Sequence, residues 1–429
     1  MTQLHRRAVL RASLTGSTFL ALPALTYRAA LLAQDKPSET VRVACVGVGG
    51  QGLANMKAVR KNVVAVCDTD SVHLEAAARE MEKGTKVATA SDYRKLLDKK
   101  DIDAVLCSTP DHWHALVTVD ACKAGKDVYC EKPLTLVVTE GRAMVKAARD
   151  NKRIVQTGSQ QRSGKEFRHA CELVRNGALG KLQEVKVGLP GPNWVSRAKK
   201  AVPDGSPPAT LDYDRWLGPA PERPFNANRV HYLFRFFWDY SGGQQTNFGA
   251  HDLDIAQWAL GLDDSGPTTI EGMATFNKDK WFETPESANQ VFTYANGVKV
   301  HCTLGAGGNP GGVTFVGEKG TISVKRGAIA AMLNGEKVAD PYKLPTGEAK
   351  LYVSKGHHAD WLECIKTRKL PICDVEIGHR SATVCHLGNI AIRTGRKITW
   401  DPKSETIVGD KEAAALLTKE YRKPWILLY

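Results

Sequence analysis

At 429 residues the chain is long enough for two or three folded units, since a domain holds about 150 residues. Its hydrophobic fraction of 42% and charged fraction of 24% are ordinary for a globular protein, which argues against a chain that needs disulfides or metals to fold. The net charge of +13 raises the question of nucleic acid, but Lys and Arg stand singly or in pairs such as Lys199-Lys200, so we expect no nucleic-acid partner.

The N-terminal segment is predicted to be an export signal. Adjacent Arg6 and Arg7 precede a weakly apolar stretch, Ala12–Leu25, that is too short and too rich in Ser, Thr and Gly to span a bilayer. The pattern resembles a twin-arginine signal, so we predict a signal peptide over residues 1–33, a polar linker over 34–40 and a periplasmic location. The alternatives are a basic amphipathic first helix and retention of the segment as an anchor.

From Val41 onward, short apolar runs alternate with helical patterns, which is typical of βαβ units. This alternation predicts a doubly wound parallel sheet, a Rossmann domain, over residues 41–162. Four cysteines fall inside the apolar runs and no C-x-x-C pair occurs, so we expect buried free thiols and no structural metal. The predicted strands are Val41–Val46, Val63–Cys67, Asp103–Ser108, Asp127–Cys130 and Arg153–Gln156.

A glycine-rich turn directly follows the first predicted strand and fits the pattern G-x-G-x-x-G. Glycines there allow a tight turn, close approach of the backbone to a pyrophosphate and packing of helix on strand. Asp68 ends the next strand at about the 20-residue spacing expected for a ribose-binding acid. Because its carboxylate would repel a 2′-phosphate, we predict NAD in preference to NADP. The residues of the turn are Gly47, Gly49, Gly50, Gln51 and Gly52.

Two loops at predicted strand carboxyl ends carry reactive side chains, where open α/β sheets bind ligands. One loop covers Ser108–His114, and the other is Glu131-Lys132-Pro133. Lys132 suits a general base or acid for the oxidation of a carbinol, and Pro133 biases its backbone away from helical angles. An ordinary ion pair between Glu131 and Lys132 is the alternative.

At these loops the sequence resembles the Gfo/Idh/MocA family of oxidoreductases, which carry Glu-Lys-Pro after a Thr-Pro-x-His-x-His loop. The resemblance implies an NAD(P)-dependent oxidoreductase with Lys132 at its reactive centre. It also implies that the first loop borders the nicotinamide ribose, so His112 and His114 are assigned to the cofactor and not to a metal. The predicted cofactor contacts are Gly47, Gly49, Gly50, Gln51, Gly52, Asp68, Thr109, Pro110, His112, His114, Glu131, Lys132 and Gln160.

Residues 163–429 are predicted to form an α+β substrate domain with a mostly antiparallel, open-faced sheet. An insertion rich in Pro, Trp and Arg, Pro190–Pro224, is expected to cover the active site. The family resemblance implies C-terminal helices that pack back on the nucleotide domain and a homo-oligomer formed through the open face. His357 and His358 are expected at the surface or the substrate rim. The predicted helices are Glu166–Asn176, Ile255–Leu260, 356–365 and Ser381–Arg393, and the predicted strands are Glu184–Val187, Ile270–Phe276, Val291–Tyr294, Val298–Thr303, Val313–Val316 and Thr321–Val324.

The segment Gly242–Asp254 is similar to the family's Gly-Gly, Asp-x-Gly-x-His-x-x-Asp pattern, whose histidine and first acid face the substrate. His251 and Asp254 match it, whereas Asn247 replaces the first acid. A carboxylate could stabilise an imidazolium and an amide can only hydrogen-bond, so substrate positioning by His251 is better supported than proton transfer. The predicted catalytic set is Lys132, His251 and Asn247, and Asp254 could instead cap the following helix.

Three functions are open at this stage. The first is hydride transfer between a sugar or cyclitol secondary hydroxyl and a nicotinamide cofactor, held tightly because free NAD is not expected outside the cytoplasm. The second is a redox-neutral glycoside hydrolase or lyase that works by transient oxidation and elimination, as in some relatives of the family, with His251 as the candidate carbon base. The third is a non-catalytic sugar-binding relative.

Overall fold

The computed structural model describes residues 40–82, 87–193, 197–198, 201–305 and 311–429. The predicted signal peptide lies outside these residues, as does nearly all of the predicted linker. Within the described part of the chain, no helix combines the length and the apolar character needed to cross a membrane.

The first sheet is parallel and has the strand order β3-β2-β1-β4-β5-β6. Its central strands are buried on both faces, which explains why they form continuous apolar runs. The strand order reverses between β1 and β4, and this reversal places a crevice at their carboxyl ends. The strands are β1 (Val43–Val46), β2 (Val63–Cys67), β3 (Ala88–Ala90), β4 (Ala104–Cys107), β5 (Asp127–Cys130) and β6 (Val155–Thr157).

The predicted Rossmann sheet is therefore confirmed. Strand β3 was not predicted because it has only three residues, none of them fully buried. All ten cysteines are buried and free, as expected. The helices of this half are α1 (Gly50–Ala58), α2 (Ser71–Glu82), α3 (Arg94–Leu97), α4 (His114–Lys123) and α5 (Val138–Asp150).

The second sheet has the order β14-β13-β12-β11-β7-β10-β9-β8-β15-β16. Only β7 and β10 pair in parallel among the paired strands described, so the predicted mostly antiparallel sheet is confirmed. One face is uncovered, since Met273 is 79% exposed and Met332 is 50% exposed. The strands are β7 (Leu182–Leu189), β8 (Thr269–Thr275), β9 (Ser287–Thr293), β10 (Lys299–Leu304), β11 (Gly312–Gly317), β12 (Gly320–Lys325), β13 (Ala328–Leu333), β14 (Glu336–Lys337), β15 (Ile398–Asp401) and β16 (Thr406–Ile407).

Helices cover the other face of this sheet and join it to the first. The long helix α11 packs against both α5 and β8, so the two sheets share one helical layer. Between β7 and β8 the chain forms α7 and a 3₁₀ helix, His231–Phe236, around an aromatic cluster. The helices are α6 (Lys165–Arg175), α7 (Tyr213–Leu217), α8 (Gly243–Asn247), α9 (Gly249–Leu260), α10 (His357–Thr367), α11 (Val375–Thr394) and α12 (Lys411–Ala415).

Two expectations about the second half are wrong. His357 is not a surface or rim residue: it is buried, and its ring nitrogens contact the Thr157 carbonyl oxygen at 2.8 Å and the Ser163 hydroxyl at 2.9 Å. Asp254 does not cap a helix, because α9 begins five residues earlier. Its carboxylate instead accepts two hydrogen bonds of 2.8 Å from the buried Arg162.

Candidate active site

A cavity of about 410 Å³ lies at the carboxyl ends of the parallel strands. The glycine turn, both reactive loops and the end of α8 contribute to its wall. Predicted site residues that line it are Gly47, Gly49, Gly50, Gln51, Asp68, Thr109, Pro110, Glu131, Lys132 and Asn247.

The glycine turn has the shape that a dinucleotide pyrophosphate requires. Gly47 has a φ of +78°, and a Cβ there would lie 2.7 Å from the Ser108 backbone. A Cβ on Gly52 would lie 1.9 Å from the Gly47 carbonyl oxygen, so close helix–strand packing needs glycine. Gly50 and Gln51 begin α1 at the cavity wall, and N–H groups of a first helical turn have no acceptor within the helix. The turn therefore fits a phosphate group.

Asp68 is fixed at the cavity wall by backbone donors. Its Oδ2 accepts from the Val48 N–H at 2.8 Å, and its Oδ1 accepts from the Asp70 N–H at 2.9 Å. The Nδ1 of His73 lies 3.7 Å from Oδ2, and hydrogen bonding with Asp68 raises the pKa of His73. The carboxylate is thus oriented before any ligand arrives.

Lys132 projects into the cavity and is held from the opposite half of the chain. Its Nζ donates to the Asn247 side-chain oxygen at 2.7 Å and to the Asn247 carbonyl oxygen at 3.0 Å. Burial lowers the pKa of Lys132, and the charge on Arg235 lowers it further, while Glu131 opposes the change. The amine is therefore easier to deprotonate than a surface lysine.

Glu131 does not form the surface ion pair that was the alternative interpretation. The residue is buried, and its Oε1 accepts from Asn55 at 2.8 Å and from Gln160 at 2.9 Å. Its Oε2 accepts from the backbone N–H of Lys132 at 3.2 Å. Glu131 thus fixes the loop that carries the lysine.

Asn247 contacts Lys132 and does not orient His251. Its side-chain nitrogen donates to Gln244 at 2.7 Å, so both ends of the amide are occupied by other residues. His251 is buried, is not part of the cavity wall, and its Nδ1 has no hydrogen-bond partner in the described structure. Burial and the nearby Lys132 hold the pKa of His251 well below its usual value, so the ring is neutral.

Three predicted cofactor contacts stand behind the cavity wall. His112 contacts the Trp216 carbonyl oxygen at 3.0 Å, and Gln160 donates to Glu131. The ring of His114 lies between two carbonyl oxygens, that of Pro133 at 2.8 Å from Nδ1 and that of Thr109 at 2.9 Å from Nε2. These side chains, like the tightly packed Gly52, hold the wall in place and do not form it.

The cavity also has lining residues that the sequence did not single out. Asp111 is buried and accepts from the Ser241 hydroxyl. The composition of the insertion gave the one available signal, since Pro190–Pro224 is rich in Trp and Arg. Other lining residues that were missed are His73, Asp92, Tyr93, Arg197, Arg215, Trp216, His231, Tyr232, Phe234, Arg235 and Trp425.

Among the residues that the structure describes, two side-chain groups bring possible metal ligands within 4.8 Å of one another. In the first, Cys107 and Cys130 flank His114, whose two ring nitrogens already face carbonyl oxygens. The second comprises Asp70, His73 and His231 at the edge of the cavity. Neither group changes the sequence-based prediction of a site without a metal.

Both halves of the chain match one family. Residues 41–159 match its "Oxidoreductase family, NAD-binding Rossmann fold" model, and residues 163–427 match its "Oxidoreductase family, C-terminal alpha/beta domain" model. The chain belongs to the Gfo/Idh/MocA family. Its predicted reactive loop and glycine turn thus lie in a domain whose family model is NAD-binding.

Relatives of this Gfo/Idh/MocA protein include enzymes of two classes. An alpha-N-acetylgalactosaminidase from Shewanella oneidensis is 30% identical over 207 residues, which cover 42% of this chain and 45% of that protein, so the match spans about half of the relative's length. The aldose-aldose oxidoreductase from Caulobacter crescentus has a similar fold, with 20% identity and a TM-score of 0.64 over 84% of this chain and 100% of that one. The WlbA dehydrogenase from Bordetella pertussis, solved with NADH and UDP-GlcNAcA, has 18% identity and a TM-score of 0.63 over 85% of this chain and 99% of that one.

Proposed function

We propose that this protein transfers a hydride between a secondary hydroxyl carbon of a sugar or cyclitol and a tightly bound nicotinamide cofactor. When bound, the cofactor supplies the hydride acceptor or donor. The observation that carries the proposal is the position of Lys132: a half-buried amine with a lowered pKa, in the same cavity as the glycine turn.

Lys132 is the proposed acid–base residue. Oxidation of a carbinol requires the hydroxyl proton to leave as the hydride departs, and a neutral amine can accept that proton. Asn247 fixes Nζ through two acceptor oxygens, which leaves a lone pair of the neutral amine available to a substrate hydroxyl. His251 is proposed to support the part of the cavity wall that faces the substrate, because its neutral ring lies behind that wall and not in the cavity.

Asp68 favours NAD over NADP as the cofactor. The residues that enclose the cavity favour slow dissociation of that cofactor. Asp68 offers a fixed carboxylate to the ribose hydroxyls and would repel a 2′-phosphate. Side chains from outside residues 41–162 also line the cavity, among them Trp216, His231 and Trp425. A cofactor enclosed from both halves of the chain would be retained through many turnovers, in keeping with the proposed export by a twin-arginine signal to the periplasm.

The similarity to the Shewanella alpha-N-acetylgalactosaminidase favours a second candidate, a redox-neutral glycoside hydrolase or lyase. In such a reaction the sugar carbinol is oxidised only transiently, and the glycosidic bond breaks by elimination. This requires a base for the proton on the neighbouring carbon. His251 is the candidate from the sequence, but its place outside the cavity wall makes Lys132 the better-placed group for both proton transfers. A non-catalytic sugar-binding role is the third candidate, and the intact glycine turn and Lys132 argue against it.

One experiment separates the candidates. The mature protein is purified, its bound dinucleotide is released from a denatured sample and identified, and native protein is then offered free sugars and nitrophenyl glycosides without added cofactor. Stoichiometric reduction of the bound nucleotide by a free sugar supports the dehydrogenase. Repeated aglycone release without net reduction supports the glycosidase, and the absence of both reactions across the panel contradicts catalysis.

A further inference from the structure

The wall of the cavity includes two arginines, Arg197 and Arg235, that have no salt-bridge partner among the described residues. Among the lining arginines, Arg215 pairs with Asp212 and also approaches Asp92. Neither Arg197 nor Arg235 forms a salt bridge with any carboxylate in the described part of the chain. Lys132 forms none either, although the charge of Glu131 acts on it.

Aromatic and backbone contacts hold the two unpaired guanidinium groups. The Arg197 guanidinium carbon lies 3.6 Å from the centroid of the Tyr232 ring, and that of Arg235 lies 3.9 Å from the same centroid. Arg235 also donates to the Tyr232 carbonyl oxygen and lies over the Phe234 ring. Arg235 is thus held in place before a ligand binds, whereas Arg197 is exposed and, within the described part of the chain, is held by its ring contact alone. Most of their N–H donors have no acceptor among the described residues.

Two acids lie near these cations: Glu131 acts on Lys132, and Asp111 acts on Arg235. Asp111 is buried, its carboxylate accepts from the Ser241 hydroxyl, and burial raises the pKa of this acid. Arg235 is partly desolvated, since burial lowers its pKa. A guanidinium stays charged in a protein, and a desolvated cation without a counter-ion is costly. A ligand with a negative charge would supply the counter-ion that Arg235 lacks.

Two anions could supply that charge: the cofactor pyrophosphate or an acidic group of the substrate. The glycine turn and the first turn of α1 already offer backbone N–H groups to a pyrophosphate. Arg235 instead lines the same cavity as Lys132 and lies close enough for its charge to lower the pKa of that amine, which is the proposed reactive group. The observations therefore favour the substrate.

We infer that the substrate is an anionic sugar, whose carboxylate is bound by Arg235 with the support of Arg197 while its carbinol faces Lys132. This inference rests on the proposed function, because it places the carboxylate relative to the proposed reactive amine. A planar guanidinium can bind both carboxylate oxygens at once, which gives direction as well as affinity.

The test uses the full-length protein with its bound dinucleotide and three matched pairs of probes. The pairs are glucuronate and glucose, galacturonate and galactose, and mannuronate and mannose, each differing only at the sixth carbon. Binding is measured by calorimetry at low and high salt. We expect the acid of at least one pair to bind about tenfold or more tighter than its neutral partner, with a preference that weakens as salt rises.

Variants locate the effect. Arg235→Gln should bring the affinity for the preferred acid to within about twofold of the neutral sugar, with the bound dinucleotide retained. Arg235→Lys keeps the charge without the planar fork and should restore part of the preference. Arg79→Gln, on the exposed face of α2, is the matched control and should leave binding unchanged. Thermal unfolding of each variant shows whether it is folded. If Arg235→Gln is not folded, the preference for the acid is tested with the more conservative Arg235→Lys.

Equal affinity within every pair, including the absence of binding to both members, would overturn the inference. So would loss of the dinucleotide from Arg235→Gln with an unchanged preference for the acid, because the arginine would then serve the pyrophosphate. Neither result bears on the proposed reaction, which is tested separately by reduction of the bound nucleotide. If that reduction fails while the acid still binds through Arg235, only the proposed function is lost.

Discussion

Lys132 and Asn247 are 115 positions apart in the sequence and meet through two hydrogen bonds from one nitrogen, at 2.7 Å and 3.0 Å. The family resemblance of the segment Gly242–Asp254 predicts an aspartate at the position of Asn247. An amide oxygen can hold the amine in place without adding a negative charge beside it. The uncharged partner leaves burial free to lower the pKa of Lys132, so the neutral amine is populated at a lower pH.

Substituting Asn247→Asp should reverse this effect. A carboxylate at hydrogen-bonding distance stabilises the ammonium form, so the pKa of Lys132 rises and the base is protonated over more of the neutral range. We expect the acidic limb of the profile of kcat/KM against pH to move to higher pH by roughly one pH unit or more. The measurement is the rate of reduction of bound nucleotide, or of aglycone release, between pH 5 and 10.

The control is Asn296→Asp, which adds the same charge in the exposed turn between β9 and β10. Its profile should match that of the unmodified protein. A profile for Asn247→Asp that coincides with this control would show that Lys132 does not titrate in the rate-limiting step.

Replacing Lys132 by alanine should stop turnover and keep the cofactor. Loss of a general acid–base group lowers rates by about 10²–10⁴-fold, whereas the glycine turn and Asp68 remain to hold the dinucleotide. The dinucleotide released on denaturation and the single-turnover rate are the two measurements. Lys95→Ala, on an exposed position of α3, should change neither. Turnover that persists in Lys132→Ala would contradict the assigned role.

Much of the nucleotide-binding half could be predicted because its signals are local. The glycine turn, Asp68 and the Glu-Lys-Pro loop each occupy a few consecutive residues, and parallel strands buried on both faces produce unmistakable apolar runs. The structure places these features at one edge of one sheet, as the strand order requires. Local signals also predicted the free thiols, since cysteines inside such strands have no exposed partner.

The rest of the candidate site depends on contacts between distant segments, which a single sequence does not encode locally. Nothing in the sequence near Asn247 indicates that its side chain meets Lys132 and not His251. Likewise, Arg235 belongs to a short 3₁₀ helix without periodicity, and its position beside the lysine follows from the packing of the aromatic cluster. The prediction that His357 lies at the surface is wrong because two adjacent histidines form a polar pattern, whereas the ring of His357 contacts both Thr157 and Ser163.

Asp68 provides a test of cofactor choice. Asp68→Ala removes both the ribose acceptor and the charge that would repel a 2′-phosphate. We therefore expect NAD to be retained less tightly, and the preference for NAD over NADP, as the ratio of the two dissociation constants, to fall by about tenfold. Apoprotein is titrated with each dinucleotide, and Asp101→Ala at an exposed site is the control. An unchanged ratio of the two dissociation constants would remove Asp68 from cofactor selection.

His114 should stabilise the fold in its protonated form. Both ring nitrogens face carbonyl oxygens, and only the imidazolium can donate to both. Burial opposes the charge, but Cys107, Asp111 and the two carbonyls outweigh it, so the pKa of His114 is raised above 6.5. The contribution of His114 to the free energy of unfolding is therefore complete below pH 6.5 and is lost as the pH rises through the pKa of His114 in the folded protein.

The corresponding variant is His114→Gln, which can donate to one carbonyl and leaves the other buried and unpaired. We expect the free energy of unfolding to fall by about 1–3 kcal/mol at pH 6, and by less at pH 9. Denaturant titrations at the two pH values measure both differences. A destabilisation that is equal at the two pH values would indicate a neutral ring in the native protein.

The C-terminal tail is expected to slow the release of the cofactor. Trp425 lines the cavity, packs edge-on against Trp113 with ring centroids 4.8 Å apart, and lies under the Arg94 guanidinium at 4.8 Å. Trp425→Ala removes this wall, and the loss of one aromatic contact of about 1 kcal/mol or more should raise the dissociation constant of the dinucleotide by roughly five- to tenfold. Most of that change should lie in the dissociation rate, because related complexes differ mainly in how fast they separate.

Tyr429→Ala is the matched control, since it removes an aromatic ring from the same tail at a site where the ring contacts Lys123 and Lys146 outside the cavity wall. Dissociation is followed by the fluorescence of bound reduced dinucleotide during a chase with excess oxidised dinucleotide. If Trp425→Ala and Tyr429→Ala release the dinucleotide at the same rate, the tail does not enclose the cofactor. Retention of the cofactor would then depend on the segment between β7 and β8, through Trp216 and His231, and not on the end of the chain.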